Sequence, residues 1–405
     1  MTVTAKLSTL SLSSKIVFYV FAAAIFYCAT SGRHKPELFV SDKLLPSADR
    51  VPSRIQACVK NTPFSFHPFV RAAEWDWPIQ STVQSVREDG PSGLPLRCDW
   101  VIGTRMQHWR RVPLDIAYGN IDEPPRTIFV QREYLQSFND YLLPCIKHKI
   151  VLIVGDHDLS TPLQMDVRYR FINTVSPYWV NKSIPNSFKY STWLSWLSDL
   201  RVHHIFVEHL DEKGHSKVSP IPLGLDPTNL PLHFMRSLTV QKISNNTYQP
   251  LSQRPLVMRF TNRMRNGIQW RARAETREKC VSTWREFCTS SPAPNGEEFF
   301  NDLKKYPFVL CAHGGGIDPN PLAWTTLIAG SIPIIQRFPG DDIYDGLPVV
   351  KLTRLPADEI NVARLQIWLQ ELEPQFYGDA RVRVVEKLMA DYWWEKIQRV
   401  VELMS

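Results

Sequence analysis

The chain has 405 residues, which is too long for one ordinary hydrophobic core and predicts about two globular domains. With 44% hydrophobic and 21% charged residues, its composition is that of a folded soluble protein, and its 31 prolines predict many ordered loops. The net charge of +7 is small for such a length, so we expect no nucleic-acid partner.

The first element along the chain is an uncharged apolar segment, residues 16–30. It is shorter than the ~20 residues of a comfortable membrane span, so a signal anchor, a cleaved signal peptide and a buried helix all fit its length. Phe26 and Tyr27 favour a membrane interface over a cleavage site. We therefore expect a single-pass type II protein of the Golgi or endoplasmic reticulum membrane, with the rest of the chain in the lumen.

The cysteines agree with this compartment. Beyond the segment lie Cys58, Cys98, Cys145, Cys280, Cys288 and Cys311. An even number suits an oxidising lumen, but no spacing reveals the pairing, and the absence of a CxxC motif argues against zinc. The glycosylation sequons at Asn181 and Asn245 are compatible with the lumen.

Composition and periodicity divide the chain into five parts. They are a tip and anchor (1–35), a stem (36–74), a first α/β domain (75–235), a second α/β domain (250–378) and a terminal helix (379–405). The stem is rich in Pro, Ser and Lys and has no periodicity. A polar stretch, residues 227–255, is the predicted linker, and apolar residues at helical spacing predict the last helix.

Short apolar runs bounded by turn residues alternate with amphipathic stretches, a pattern typical of α/β proteins. In the first domain they predict strands at 127–130, 150–154, 204–207 and 218–223, with a helix at 191–197. In the second they predict strands at 256–260, 308–312, 332–335 and 348–351.

The most informative block is a strand that ends in a glycine turn, Gly314 to Gly316, with Asp318 after it. A helix and the strand-forming residues Ile332-Pro333-Ile334-Ile335 follow. Such a turn lets backbone N–H groups approach an anion, as in diphosphate binding. A purely structural turn would explain the glycine run equally well.

This block resembles the donor half of exostosin-like glycosyltransferases. The segments 220–225 and 344–350, and Asp158 after a central strand, are similar to further parts of that family in the expected order. The resemblance implies a GT-B-like fold of two Rossmann-like domains, the first on the acceptor side and the second binding the nucleotide sugar. It also implies transfer of sugar to a glycan or glycoprotein in the cleft between them.

The resemblance has gaps. Where the family carries an Arg and a Glu, this chain has Leu322 and Thr325. The missing Glu would hold donor hydroxyls. A different donor, a substituted contact from Thr325 or Thr326, and loss of catalysis all remain open; in the last case the protein would be a luminal glycan-binding or scaffold protein.

Arginines are the second candidate for diphosphate contact. Arg259, Arg263 and Arg271 belong to an arginine-rich segment that begins at Arg254 and follows the linker. Guanidinium groups suit phosphate oxygens and could stabilise a leaving diphosphate without a metal. Solvated helix faces would also explain them.

Asp156 and Asp158 support a rival interpretation, because an Asp-x-Asp at a strand end can bind Mn²⁺ or Mg²⁺ and the donor diphosphate. In the two-domain interpretation Asp158 is the acceptor base and no cofactor is required; structural capping is a third explanation. His203, His204, His209 and His215 match no zinc pattern. The predicted donor-binding residues are Arg259, Arg263, Arg271, His313, Gly314, Gly315, Gly316, Asp318, Thr325 and Thr326.

Overall fold

The computed structural model describes residues 66–68, 85–87, 90–92, 94–107, 110–118, 123–155, 159–166, 168, 188–224, 244, 249–264, 270–291, 296–314, 316–319 and 321–404. All of these belong to one compact unit. The predicted anchor, most of the predicted stem and linker, and both sequons lie outside the described residues. Among the residues that are described, no helix is long and apolar enough to cross a membrane.

The first sheet has seven strands in the order β1-β5-β4-β6-β7-β8-β9. They are β1 (Phe66–Pro68), β4 (Trp100–Gln107), β5 (Arg110–Tyr118), β6 (Thr127–Gln131), β7 (Ile150–Gly155), β8 (Val202–Val207) and β9 (Val218–Pro220). A separate hairpin pairs β2 (Ser85–Arg87) with β3 (Gly90–Ser92). All neighbours in the sheet are parallel except β4 and β5, which are antiparallel. β6 and β7 are buried throughout, and they are apolar except at Thr127 and Gln131, the two ends of β6.

The second sheet is entirely parallel, in the order β11-β10-β12-β13-β14. Its strands are β10 (Met258–Phe260), β11 (Cys288–Ser290), β12 (Phe308–Cys311), β13 (Ile332–Gln336) and β14 (Val350–Leu352). Each strand predicted in this half is present with somewhat different ends, but β11 was not predicted. Its three residues are too few to give a periodicity.

The main helices are α1 (Tyr190–Ser198), α2 (Arg271–Val281), α3 (Gly296–Leu303), α4 (Pro321–Ile328), α5 (Val362–Leu372), α6 (Gly378–Leu388) and α7 (Ala390–Glu402). Short helical turns occupy Leu94–Arg97, Arg132–Tyr134, Leu135–Ser137, Phe138–Leu142, Leu143–Cys145, Leu163–Met165, Leu251–Gln253, Asp341–Tyr344 and Glu373–Phe376. Two largely parallel sheets with helices between strands confirm the predicted α/β class.

The C-terminal segment is two helices, where the sequence predicted one. Met389 adopts an extended backbone between α6 and α7, and the indole of Trp393 donates to the Lys387 carbonyl at 2.9 Å near the break. Helix α7 contacts β7 of the first sheet, and Arg126 Nη2 donates to the Val401 carbonyl at 2.7 Å. This segment therefore joins the second half of the chain to the first.

Two hydrophobic clusters form the core. One lies within the first half, around β6, β7, β8 and α1, and includes Trp193 and Trp196. The other surrounds the second sheet and extends through α7 to the opposite face of the first sheet, where Val151 and Phe206 belong to it. Since one core spans both sheets, their relative placement is fixed by packing.

Candidate functional site

The carboxyl ends of the two sheets meet. The backbone N–H of Asp318, beyond β12, points at Nδ1 of His209, beyond β8, with an N···N distance of 3.4 Å. Nearby, Lys213 Nζ lies 2.7 Å from Asp342 Oδ1. Ligands of parallel α/β sheets bind outside the carboxyl ends of the strands, so this junction is the candidate site.

Glu208 places a buried carboxylate on the first edge, directly after β8. A Cβ added at Gly155, the last residue of β7, would lie 2.5 Å from the Glu208 Cδ atom. Only glycine therefore leaves room for this carboxylate. The side chain of Glu208 is almost completely buried. Glu208 thus lies at the strand end that leads into residues 156–158.

His209 has a left-handed backbone, with φ of 50°. For a residue other than Gly, this conformation costs about 1 kcal/mol and is found most often at functional sites and tight turns. The Asp318 amide donates to its Nδ1, so the neutral ring carries its proton on Nε2. His209 therefore connects the two edges, a role that the sequence alone did not indicate.

A hydrogen-bonded cluster supports the first edge. Asp211 accepts from the Ser160 hydroxyl at 2.5 Å and from the backbone of Leu163 and Gln164 at 3.0 Å each. Burial raises the pKa of Asp211 to about 6 although these bonds oppose the shift. Arg132 Nε donates to Thr161 Oγ1 at 2.9 Å, and its Nη2 donates to the Glu208 carbonyl. The loops after β7 and β8 are therefore held together.

On the second edge, Arg273 of α2 joins two turns. Its Nε donates to the His313 carbonyl at 2.9 Å and its Nη1 to the Arg263 carbonyl at 2.8 Å. The guanidinium also lies 4.7 Å from the Trp270 ring centroid. Arg273 thereby connects the loop after β10 with the start of the glycine turn.

Two buried side chains beyond the end of β10 retain polar atoms without a hydrogen-bond partner among the described residues. They are Thr261 (Oγ1) and Asn262 (Oδ1). The Asn262 amide does donate to the Ala312 carbonyl at 3.3 Å, so it lies across the end of β12. Burial lowers the pKa of His313 to about 4 although hydrogen bonds with the backbone of Gly316 and Ile317 oppose the shift, and its ring is neutral at pH 7.

Asp318 is buried and oriented by Tyr344, whose hydroxyl donates to Asp318 Oδ1 at 3.1 Å. Burial is the main cause of a strongly raised Tyr344 pKa, and the Asp318 charge adds to it. Tyr344 in turn stacks on Trp324 with 5.6 Å between ring centroids. The predicted donor-site aspartate is thus held beside the glycine turn.

The predicted arginines separate in the structure. Arg259 is buried and pairs with Asp302, with Nε 2.6 Å from the carboxylate, and so contacts α3. Arg271 pairs with Glu275 on its own helix at 2.6 Å. Arg263 is exposed at the second edge, and no described acidic residue forms an ion pair with it. Of the three, Arg263 has a guanidinium available to a ligand.

The two threonines face the core. Thr325 donates its hydroxyl to the Pro321 carbonyl at 2.9 Å, and both Thr325 and Thr326 have no exposed surface. Leu322 packs against the same core. Neither threonine therefore offers a substitute for the missing Glu in this arrangement.

Of the remaining predicted residues, Gly314 and Gly316 lie in the turn, whereas Asp156, Asp158 and Gly315 lie outside the described residues. In the described part of the chain, no group of three or more His, Cys, Asp or Glu is placed to hold a metal ion. His204 bonds to Ser219 at 2.9 Å, and burial lowers its pKa to about 4.

Sequence reasoning missed Glu208, Asn262 and Tyr344, and it considered His209 only as a possible metal ligand. All except Tyr344 stand one or two residues beyond a strand. Position after a strand was thus the available signal, although it does not distinguish site residues from ordinary turn residues.

No protein-family model matches the chain, and no curated protein matches it in sequence. Solved structures with similarity include an alpha-glucosyltransferase in complex with UDP-glucose and DNA containing an abasic site (TM-score 0.33, 11% identity, 69% of this chain and 80% of that chain). Another is a point mutant of S. aureus TarM in complex with Fondaparinux, alpha-GlcNAc-glycerol and UDP (0.34, 10%, 68% and 55%). A third is an alpha1,3-fucosyltransferase (0.31, 12%, 71% and 80%). Likeness at this level does not assign an activity, which is therefore argued from the site.

The partner expectations require correction. Nucleic acid was excluded on net charge, yet one matched structure contains DNA, so that exclusion is withdrawn. Net charge was a poor criterion because partner choice depends on local surface and not on the total. The expected membrane partner likewise has no support, because residues 16–30 lie outside the described part.

Proposed function

We propose that this protein is a glycosyltransferase that moves a sugar from a nucleotide-sugar donor to an acceptor hydroxyl. The observation that carries the proposal is the contact between the carboxyl ends of the two sheets, His209 on one side and the glycine-turn residue Asp318 on the other. Two largely parallel sheets with facing carboxyl ends provide one edge for each substrate.

The donor diphosphate binds at the second edge. The backbone of the glycine turn approaches the phosphates closely, and Arg263, fixed through its carbonyl by Arg273, supplies positive charge. A guanidinium there stabilises the charge that develops on the leaving diphosphate. This arrangement gives the donor two types of phosphate contact without a metal.

The acceptor hydroxyl loses its proton to a carboxylate at the first edge. Asp158 remains our predicted base, since it follows the end of β7 by three residues, and Glu208 supplies a second carboxylate at that edge. We further propose that the enzyme is exostosin-like and metal-independent. The order of the segments 220–225, 314–318 and 344–350 supports the exostosin-like part, and a leaving diphosphate stabilised by Arg263 supports the metal-independent part.

Nucleotide binding to the purified chain tests the proposal. UDP, GDP and ADP are titrated while thermal unfolding is followed, with EDTA and with Mn²⁺. We expect one nucleotide to raise the Tm in EDTA, and Arg263→Ala to reduce that rise. Arg277→Ala is the matched control, because Arg277 is exposed and has no ion-pair partner among the described residues.

Other results of the nucleotide titration would favour the alternative functions. A response that requires Mn²⁺ favours the Asp156 and Asp158 metal site, and no response to any nucleotide favours a non-enzymatic scaffold. Equal effects of Arg263→Ala and Arg277→Ala would contradict the phosphate role of Arg263.

We also propose that the protein works in the lumen of the Golgi or endoplasmic reticulum. Cys280 and Cys288 form a disulfide, which favours an oxidising compartment. Glycosidase treatment of protein from its native cells should lower its apparent mass through Asn181 or Asn245. A protein whose mass is unchanged and whose thiols are all reduced would contradict this location.

A further inference from the structure

We infer that His209 is a positioning residue for the donor. Its imidazole belongs to the first half of the chain, and it fixes the end of the glycine turn at which the donor diphosphate binds in the second half. This rests on the proposed function, since it concerns the diphosphate site proposed there. It goes beyond that function because it makes donor affinity at the second edge depend on a side chain of the first edge.

The backbone around His209 is held by hydrogen bonds that do not involve its side chain. The amide of Glu208 donates to the Val154 carbonyl at 2.9 Å, and the amide of Thr161 donates to the His209 carbonyl at 3.1 Å. Arg132 Nη2 donates to the Glu208 carbonyl. These bonds hold residue 209 in its left-handed conformation, with φ of 50°.

The same conformation shows what the side chain of His209 adds. A left-handed backbone suits glycine, whereas a histidine in it is strained. A glycine at this position could make the same main-chain hydrogen bonds without that strain, so these bonds do not explain the imidazole. What the imidazole supplies is an acceptor, Nδ1, which lies 3.4 Å from the amide nitrogen of Asp318.

The start and the interior of the glycine turn are held by residues of the second half. Arg273 Nε donates to the His313 carbonyl at 2.9 Å, where the turn begins. The ring of His313 hydrogen-bonds with the backbone of Gly316 and Ile317 inside the turn. Local contacts therefore define the turn up to residue 317.

The end of the turn is held from both halves of the chain. In the second half, the Tyr344 hydroxyl donates to Asp318 Oδ1 at 3.1 Å. From the first half, His209 Nδ1 accepts from the backbone amide of Asp318. Rotation of the Asp318 side chain can preserve the first contact, whereas the second acts on the main chain itself. Of these two contacts, the one with His209 therefore fixes the backbone.

The position of this backbone matters for the donor, because main-chain N–H groups of such a turn bind phosphate oxygens. Hydrogen bonds weaken steeply as their distance and angle depart from the optimum, so a turn whose end shifts binds a diphosphate less tightly. His209 thus contributes to donor affinity without touching the donor. We expect loss of its one hydrogen bond to lower the affinity about five- to tenfold.

Two variants that both tolerate a left-handed backbone test the role of the acceptor atom. His209→Asn keeps an acceptor, because the amide Oδ1 occupies the same place along the side chain as Nδ1, and His209→Gly removes it. UDP, GDP and ADP are titrated into the full chain by isothermal calorimetry. The nucleotide that binds wild type should bind His209→Gly about five- to tenfold more weakly and His209→Asn within about twofold of wild type.

Arg126→Ala is the control for a general loosening of the two halves. Arg126 Nη2 donates to the Val401 carbonyl of α7 at 2.7 Å, so it too bonds a first-half side chain to second-half backbone. It precedes β6, however, and lies at the opposite end of the sheet from the candidate site. This variant should keep nucleotide affinity within about twofold of wild type. Equal losses in Arg126→Ala and His209→Gly would overturn the inference.

Hydrogen exchange without nucleotide tests the contact by itself. Mass spectrometry of peptides that include residues 313–318 should show faster exchange in His209→Gly than in wild type or His209→Asn. Equal exchange in the three proteins overturns the inference, and so does equal nucleotide affinity of the Gly and Asn variants. If wild type and variants bind no nucleotide at all, the proposed function itself is overturned. The two failures are therefore distinguishable.

A second variant replaces His209→Gly if that protein does not fold. His209→Ala is strained in the left-handed conformation, as histidine is, and it lacks the acceptor. Its exchange and its nucleotide affinity are then compared with those of His209→Asn, and equal values in the two variants overturn the inference.

Discussion

The Nε atom of Arg273 donates a hydrogen bond of 2.9 Å to the carbonyl of His313, where the glycine turn begins. The same guanidinium binds the carbonyl of Arg263 at 2.8 Å. One buried side chain therefore sets the distance between the two elements to which we assign the donor phosphates. This relationship gives the first prediction.

Arg273→Ala should lower the free energy of unfolding by about 2–4 kcal/mol, because two carbonyls lose a charged donor. It should also weaken nucleotide diphosphate binding by moving Arg263. In a double-mutant cycle with Arg263→Ala, the losses of affinity should be less than additive by about 0.5–3 kcal/mol. Titration calorimetry and urea unfolding measure both effects, with Arg277→Ala as the control. Strict additivity of the two losses would show that Arg273 does not position Arg263.

Arg259→Ala should act on stability instead of donor affinity. Its guanidinium is buried against Asp302, and removal of one partner from a buried ion pair costs about 3–5 kcal/mol. Nucleotide affinity of the folded variant should remain within about twofold of wild type, since an effect confined to stability leaves the binding contacts in place. Replacing both Arg259 and Asp302 with apolar residues should recover part of the stability. A large loss of nucleotide affinity without a loss of stability would instead show that Arg259 contacts the donor.

Gly155→Ala should displace the Glu208 carboxylate, because the new Cβ would lie 2.5 Å from its Cδ atom. Overpacking of this kind costs about 1–3 kcal/mol in unfolding free energy. We expect the cost to shrink in a Glu208→Ala background, where the space is vacant. The test compares the unfolding free energies of wild type, the two single variants and the double variant by chemical unfolding. If Gly155→Ala lowers stability equally with and without the Glu208 side chain, the packing of Glu208 over Gly155 is contradicted.

The lowered pKa of His313 predicts that the free energy of unfolding depends on pH. Its pKa in the folded state is about 4, below the usual 6.5, because of burial. Between these values the unfolded state binds a proton that the folded state does not, so stability falls as the pH falls. The loss from this group reaches about 3 kcal/mol by pH 4.

His313→Gln should remove the part of the pH-dependent loss of stability that comes from His313. Asp211, with a raised pKa of about 6, acts in the opposite direction over the same range, and His204 acts in the same direction as His313. The quantity to measure is therefore the difference in unfolding free energy between wild type and His313→Gln from pH 7 to 4. Parallel curves would contradict the assigned burial of His313.

Much of the fold could be predicted from local patterns. The buried runs at β7 and β12 are apolar over their whole length, as parallel strands with helices on both faces must be. The one-helix prediction for the C-terminus failed because the apolar positions keep helical spacing on both sides of Met389. Spacing reports which face is buried but not whether one residue between two helices is extended.

The site was less predictable. Arg259 and Arg263 are similar in sequence context, yet one is buried against Asp302 and the other is exposed. Which of them can meet a phosphate depends on residue 302, more than forty positions away, and no local pattern carries that information.

The sequence by itself determined the α/β alternation, the glycine turn and the order of the strands along the chain, since these follow from hydrophobic period and turn chemistry between near neighbours. Only the tertiary structure decided that His209 faces Asp318, that Glu208 occupies the space over Gly155, and that Thr325 turns into the core. Such contacts join residues far apart in the chain. They form because the two sheets pack through a shared core, and this close packing allows each of those side chains only one orientation.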